Sequence, residues 1–171
     1  MSQKKITVGL LCGGKSGEHQ VSLVSANNIQ ANLDRDRYHV VIIGIDKLGH
    51  WRFNADNNFL ENAADIQRIQ LNLSRPEVTL ADQGQLLESG TGKILAKIDV
   101  FFPITHGVFG EDGSLQGLLR LQDVPFVGPD IWGSAIGMDK DVSKRLLRDA
   151  GIPVTPSITL RAQATITFAE A

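Results

Sequence analysis

One cysteine, one tyrosine and two tryptophans are all that the 171 residues contain of those types. A single thiol, Cys12, excludes an internal disulfide framework and suits a reducing compartment. Aromatic residues make up 6% of the chain, and 17 Lys+Arg against 19 Asp+Glu leave a net charge of -2. A chain with neither a basic excess nor many stacking rings has little with which to hold nucleic acid. No apolar run approaches the roughly 20 residues needed to span a bilayer. The N-terminal MSQKKITVGLLCGG has a basic start and a short apolar stretch, but it ends in a charged turn and not in the small residues of a secretory cleavage site. Together these absences lead us to expect a soluble, cytoplasmic protein with no membrane segment and no nucleic-acid partner. With 42% hydrophobic residues, the length suffices for one domain with a sizeable core and part of a second.

Apolar runs are present where a sheet needs them. Ile6 to Cys12 is continuous and bounded by Lys5 and a Gly-Gly pair, as in a buried parallel strand. Val21, Val24, Ile29 and Leu33 are spaced to share a helix face, and His39 to Ile45 (HVVIIGI) is a second buried strand. Strand, helix and strand in that order make a βαβ unit with a right-handed crossover. A third strong strand, Asp99 to Ile104, follows a weakly patterned stretch in which Trp51–Phe53 reads as a short strand and Glu77–Leu80 as an edge strand. The spacing then predicts a helix from Ser114 to Leu121, a short strand at Pro125–Val127, and two helical patterns split near Met138-Asp139. The second of these runs from Asp141 to Ala150, with Val142, Leu146 and Ala150 on one side and Gly151 as its stop. Ser157–Leu160 reads as a further strand. Thr167-Phe168-Ala169-Glu170 has the form of a capping box, which announces a helix one residue before the last; we expect a fragment of a longer polypeptide. The fold class expected for residues 1 to 137 is three-layer α/β with a mainly parallel sheet.

The turn after the first strand carries a motif that two chemistries could claim. Gly9, four residues, then Gly14-Lys15-Ser16 satisfies the G-x-x-x-x-G-K-[ST] pattern of a phosphate-binding loop, the mark of a small P-loop NTPase. That loop would require Leu10, Leu11 and Cys12 to leave the sheet. Burying two leucines is worth roughly 1.5–3 kcal/mol each, so the strand should win. What remains is a glycine-rich turn, GGKSGE, at the carboxyl end of a strand, where open α/β sheets place their ligands. Ser16 is suited to cap the following helix and Glu18 to occupy its first turn, where the dipole favours a carboxylate. His19 reads as a solvated surface residue.

A second loop, THGVFGEDGSLQG, follows the third strand and should open onto the same edge. It places His106, Glu111 and Asp112 among four glycines, with Gln116 on the ensuing helix. Such a stretch is poor core material, although acidic residues at a helix N-terminus suffice to explain Asp112.

The run His106-Gly107-Val108-Phe109-Gly110-Glu111-Asp112-Gly113-Ser114-Leu115-Gln116-Gly117 resembles the signature H-G-x-x-G-E-D-G-x-x-Q-G of the D-alanine–D-alanine ligases. Gly13 to Glu18, with Val21-Ser22, is similar to their N-terminal glycine-rich turn, and Met138-Asp139-Lys140 leading into KRLLRDAGIPVTP resembles the entrance to their ATP-grasp region. One departure is Gly17, where the family usually has Ala; it should loosen the helix start.

The resemblance implies a Rossmann-like, pre-ATP-grasp domain over residues 1–137 and the beginning of an ATP-grasp domain over residues 138–171. It implies an enzyme that joins two D-alanines at the expense of ATP, through an acyl phosphate, for peptidoglycan precursors. Carried over, Glu18 and His106 are the catalytic residues of the first D-alanine subsite, Val21 and Ser22 help bind that substrate, and Lys140 reaches the ATP phosphates. The carboxylates for Mg²⁺ (or Mn²⁺) would lie after Ala171, with no metal ligand in this chain. The resemblance also implies a homodimer assembled through this domain. A non-catalytic binding or dimerising fragment is the remaining alternative.

Overall fold

The computed structural model describes residues 4–160 apart from Asn57; the capping box at Thr167–Glu170 lies outside the described residues. The chain runs β1 (Ile6–Gly13), α1 (His19–Asn32), β2 (Tyr38–Ile45), β3 (Trp51–Asn54), β4 (Leu60–Glu61), β5 (Gln70–Leu71) and β6 (Glu77–Ala81). After a 3-10 turn at Asp82–Gly84 come β7 (Gln85–Glu88), β8 (Ile94–Lys97), β9 (Val100–Pro103), α2 (Ser114–Leu121), α3 (Ile131–Met138) and α4 (Lys140–Asp149).

One sheet of seven strands, in the order β8-β7-β6-β3-β2-β1-β9, forms the middle layer. Its parallel core is as the apolar runs predict: β1 pairs in parallel with β2 on one side and β9 on the other. Beyond β2 the sheet continues as an antiparallel run through β3, β6, β7 and β8. Glu77–Ala81 is therefore an inner strand and not the edge its polar flanks suggest. On the far side of β9, Pro125–Val127 contributes a single parallel bridge, Phe101 to Phe126.

The period of two along β1 and β2 builds both faces. Leu10, Cys12, Val40 and Ile42 point to a cluster completed by Leu23 and Ala26 of α1 and by Phe59, Ile69 and Leu71 around the small β4–β5 pair. Leu11, Val41, Ile43 and Ile45 point the other way, onto Leu115 and Leu119 of α2. A helix on each face of a sheet is the three-layer plan. The buried side of α1 is Ser22, Leu23, Ala26 and Gln30, with Val24, Ile29 and Leu33 at its margins. Val21 stands outside that face, 56% exposed.

Leu10 and Leu11 are both 0% exposed, which excludes the phosphate-binding-loop reading of Gly9 to Ser16. Gly9 lies inside β1 and is glycine because its neighbours come close: a Cβ there would stand 2.9 Å from Ile98 Cγ2 and 3.0 Å from the Phe101 ring. At the other end of the chain, Asp139 closes α3 and opens α4, its carboxylate accepting from the amides of Asp141 and Val142. The apolar side of α4 is not buried by any described residue, so Val142 and Leu146 remain exposed. Ser157–Leu160 is not a strand: it has no ladder partner among the described residues, and it is held to α4 by Thr159 Oγ1 donating to Asp141 at 2.8 Å. An isolated extended segment without cross-strand hydrogen bonds has nothing to make it a strand.

Candidate functional site

Because β1 and β9 are parallel neighbours, the turn after each leaves the sheet at the same edge, the usual ligand position in an open α/β sheet. Three serines of the first βα unit join the two turns. Ser22, 0% exposed, donates from Oγ to the Ile104 carbonyl at 2.6 Å and accepts from the Gly13 amide at 2.8 Å. Ser16 donates to the His106 carbonyl at 2.6 Å and accepts from the Glu18 amide at 3.2 Å. Ser25 Oγ lies 3.3 Å from His106 Nε2.

The helix itself begins two residues later than its sequence suggests. Its N-cap is Glu18, and Ser16 closes the preceding turn without capping α1. Glu18 thus sits just ahead of the first turn, still beside the free amides of the helix end. His19 is buried, at 5% exposure, where we expected a solvated residue. Its Nδ1 donates to the Gly14 carbonyl at 2.7 Å, so the ring fastens the glycine turn down over α1. Gly17, the family departure, has no atom within 4 Å of where a Cβ would stand, so packing leaves room for alanine there.

The Glu18 side chain lies against the His106 loop at Gly107. The Glu18 Oε2 lies 2.8 Å from the place a Gly107 Cβ would take, and Gly107 has a φ of +74°, so both space and backbone require glycine. Among the described residues the Glu18 carboxylate has no hydrogen-bond or ion-pair partner. Glu111 lies on the other side of the same residue, its Oε2 accepting from the Gly107 amide at 2.7 Å. Asp112 accepts from the amides of Phe109 and Ser114. Burial is the largest influence on its carboxyl and pushes it up, but the hydrogen bonds from Phe109 and Ser114 together outweigh this and hold it below the usual value. Asp112 is accordingly a fixed element of the loop, as its place before α2 suggested. Gln116, also buried, donates from Nε2 to the Gly110 carbonyl at 2.9 Å and holds the loop from below.

A cavity of about 330 Å³ opens beside this junction, lined in part by His106, Glu111, Gln116, Ser134 and Lys140. Lys140, the first residue of α4, is exposed and donates from Nζ to the Gly137 carbonyl at 2.8 Å. Lys15 points elsewhere. Its stem crosses Gly49 and its Nζ stands 5.7 Å from the centre of the Phe109 ring, along a second cavity that His106 also lines. The structure therefore brings together Glu18 with the His106 loop, and His106 with Lys140 along one cavity. Val21 is exposed one turn along α1 from Glu18, whereas the Ser22 hydroxyl is spent on holding the strands.

Chemically, an unpaired carboxylate at one end suits an ammonium group, and a lysine at a helix start suits an anion. No group of three potential metal ligands occurs among the described residues. Sequence reasoning missed the braces Ser16 and Ser25, whose partners lie 90 and 81 residues away. The only local trace is the three-residue interval between Ser22 and Ser25, which puts both on one side of α1.

Known proteins resemble this chain in sequence and in fold. The D-alanine--D-alanine ligase A of Salmonella typhimurium is 52% identical over 159 residues, which is 91% of this chain and 44% of that protein. The structure of the D-alanine-D-alanine ligase from Coxiella burnetii superposes with a TM-score of 0.81 at 35% identity, covering 94% of this chain and 47% of that one. The D-alanine--D-alanine ligase of Bacillus anthracis, solved in complex with ATP, gives a TM-score of 0.62 at 27% identity over 98% of this chain and 42% of that one. The chain thus spans about half the length of the relatives it matches. With residues 7–129 matching the family described as the D-ala D-ala ligase N-terminus, the chain belongs to that family.

Proposed function

We propose that this chain supplies the first amino-acid subsite of an ATP-dependent ligase that joins two D-alanines for peptidoglycan precursor synthesis. The observation that carries the reading is the unpartnered Glu18 carboxylate lying against the His106 loop, in a chain of this family. In the proposed reaction the carboxylate of the first D-alanine takes a phosphoryl group from ATP. The amine of the second attacks the resulting acyl phosphate, and inorganic phosphate leaves from the tetrahedral intermediate. Glu18 holds the ammonium of the first substrate, and His106 lies beside its reacting end. Val21 gives the subsite an apolar wall, and Ser22 contributes by keeping the two turns in register. Lys140 meets the ATP phosphates, for which its compact charge at the start of α4 is suited. When bound, Mg²⁺ (or Mn²⁺) neutralises phosphate charge, on carboxylates that we place after Ala171. The break at Asp139, between α3 and α4, supports a division into a domain of residues 1–137 and the beginning of an ATP-grasp region over residues 138–171.

The enzyme acts in the cytoplasm as a homodimer assembled through this domain. Light scattering that finds a monomer mass across micromolar concentrations would count against the dimer.

Glu18→Gln and Lys15→Ala, compared in the intact ligase, test the site. Losing a charge-assisted contact should raise the KM for the first D-alanine, lower turnover, or both, by about tenfold or more, with ATP affinity unchanged. Lys15→Ala should leave both titrations near the wild-type values. If Lys15→Ala cripples ATP binding while Glu18→Gln leaves D-alanine kinetics untouched, the reading fails.

A further inference from the structure

We propose that Ser25 is a positioning residue whose hydroxyl fixes the tautomer and ring orientation of His106, holding its proton on Nδ1. Only the kinetic consequence of this rests on the function proposed above.

The backbone of His106 is already held, since Ser16 Oγ donates to its carbonyl at 2.6 Å and Ser22 Oγ donates to the Ile104 carbonyl two residues earlier at 2.6 Å. Those bonds place the Cα and leave the side chain free to turn. The remaining constraint comes from the same helix: Ser25 lies three residues after Ser22, hence on the same side of α1, and its Oγ stands 3.3 Å from the ring Nε2. Ser16 of the turn and Ser22 of α1 therefore fix the loop, and Ser25 of the same helix fixes the ring.

The direction of this bond decides the tautomer. A neutral imidazole has one N–H and one lone-pair nitrogen, and the partner of one nitrogen determines the state of the other. If Nε2 carried the proton, the hydroxyl of half-buried Ser25 would accept, and its own hydrogen would need either solvent or a protein acceptor. For a helical serine the ordinary choice is the carbonyl four residues back, here Val21. No such bond is present among the described residues. With the proton on Nδ1, Ser25 donates to Nε2 and both groups are satisfied. Nδ1–H is then the hydrogen-bond donor His106 can offer to a carboxylate or phosphoryl oxygen. His19 provides an internal reference, because its Nδ1 faces the Gly14 carbonyl at 2.7 Å and a carbonyl can only accept.

The protein has four histidines, so 15N labelling at histidine and long-range proton–nitrogen correlation can resolve the tautomer of each. His106 and His19 should both appear as Nδ1–H at a pH where the rings are neutral. Ser25→Ala should shift His106 alone towards Nε2–H or a mixture, and Ser25→Thr, which keeps the hydroxyl, should restore it. His19 unchanged in the alanine variant shows that the fold is intact. A wild-type His106 in the Nε2–H form, or one that Ser25→Ala leaves unaltered, overturns the proposal. In the intact ligase the alanine variant should raise the KM for D-alanine about two- to tenfold with ATP KM unchanged, again with rescue by threonine. A tautomer shift without that kinetic change would uphold the role of Ser25 and overturn the placing of His106 at the substrate.

Discussion

Replacing Gly107 by alanine should separate the two things this residue does. Its φ of +74° is a conformation in which an L side chain costs about 1–2 kcal/mol. The added Cβ would also stand 2.8 Å from Glu18 Oε2, 3.1 Å from Ser16 Cβ and 3.3 Å from Ser16 Oγ. The Glu18 carboxylate is the end of a flexible, exposed side chain and can move aside at little cost to stability. Ser16 cannot: it is 8% exposed, and its hydroxyl is bound to the His106 carbonyl. Loosening that bond adds about 0.5–1.5 kcal/mol. The total, about 1.5–3.5 kcal/mol, corresponds to a fall in Tm of roughly 3–14 °C for a domain of this size.

The functional cost takes a different route, through the displaced carboxylate, and a double-mutant cycle exposes it. In the intact ligase Gly107→Ala should raise the KM for D-alanine, but in a Glu18→Ala background it should add no further penalty, because the carboxylate it displaces is gone. The fall in Tm should persist in that background, since the backbone cost does not involve Glu18. Melting within about 1 °C of wild type would refute the strain argument. A KM penalty that adds in full to that of Glu18→Ala would refute the contact.

Ser22→Ala should lower stability by about 1–3 kcal/mol for each of the two groups it leaves buried without a partner, the Gly13 amide and the Ile104 carbonyl; an unchanged denaturant midpoint would contradict this. Burial pushes the Cys12 thiol up to about 12, so a thiol reagent at pH 8 should label it only after unfolding, and rapid labelling of the native protein would be inconsistent with its place in β1. The Asp46 carboxyl is pushed up by burial, but hydrogen bonds from the His50 amide, the His50 ring and the Leu48 amide hold it below its usual value. A lowered carboxyl contributes stability at pH above its unfolded value of about 3.9 and loses it as pH falls through the lower folded value. Acid unfolding followed by circular dichroism should therefore begin at higher pH, and fall less steeply between about pH 5 and 3, in Asp46→Asn than in the wild type; superimposable curves would show that Asp46 is not a source of acid sensitivity.

The parallel core was legible because its strands are buried on both faces. Ile6–Cys12 and His39–Ile45 must then be apolar at nearly every position, and a run of that kind stands out from any neighbour. The antiparallel extension was not legible in the same way. β4 and β5 have two residues each and β7 and β8 four, too short for a period of two to register. Their turn signals are present, as in Ser89-Gly90-Thr91-Gly92 between β7 and β8, but a turn without a patterned strand on either side announces nothing. Glu77–Ala81 looked like an edge because its flanks are polar; it lies inside because β7 and β8 pair beyond it. His19 was misjudged for a related reason, since its burial comes from the glycine turn folding back onto it and not from any helical stripe.

The site divides along the same line. Glu18 and His106 stand out in sequence because each sits in a glycine-rich turn with few apolar neighbours, and the pattern marks both turns as something other than core. Ser16, Ser22 and Ser25 carry no such mark, since serine on a helix or in a turn is unremarkable and its ordinary partner is local backbone. What gives them a role is the adjacency of β1 and β9, with 86 residues between the last of one and the first of the other, which places a carbonyl or ring nitrogen from the second loop opposite each hydroxyl. That adjacency is set by the two apolar strands, and the serines exploit it. The catalytic candidates were thus open to motif reasoning, whereas the residues that aim them become visible only once the sheet order is known. Ser25 is the sharpest case: its contact with the His106 ring does least for the fold, so its loss should be felt in the orientation of the histidine before it is felt in stability.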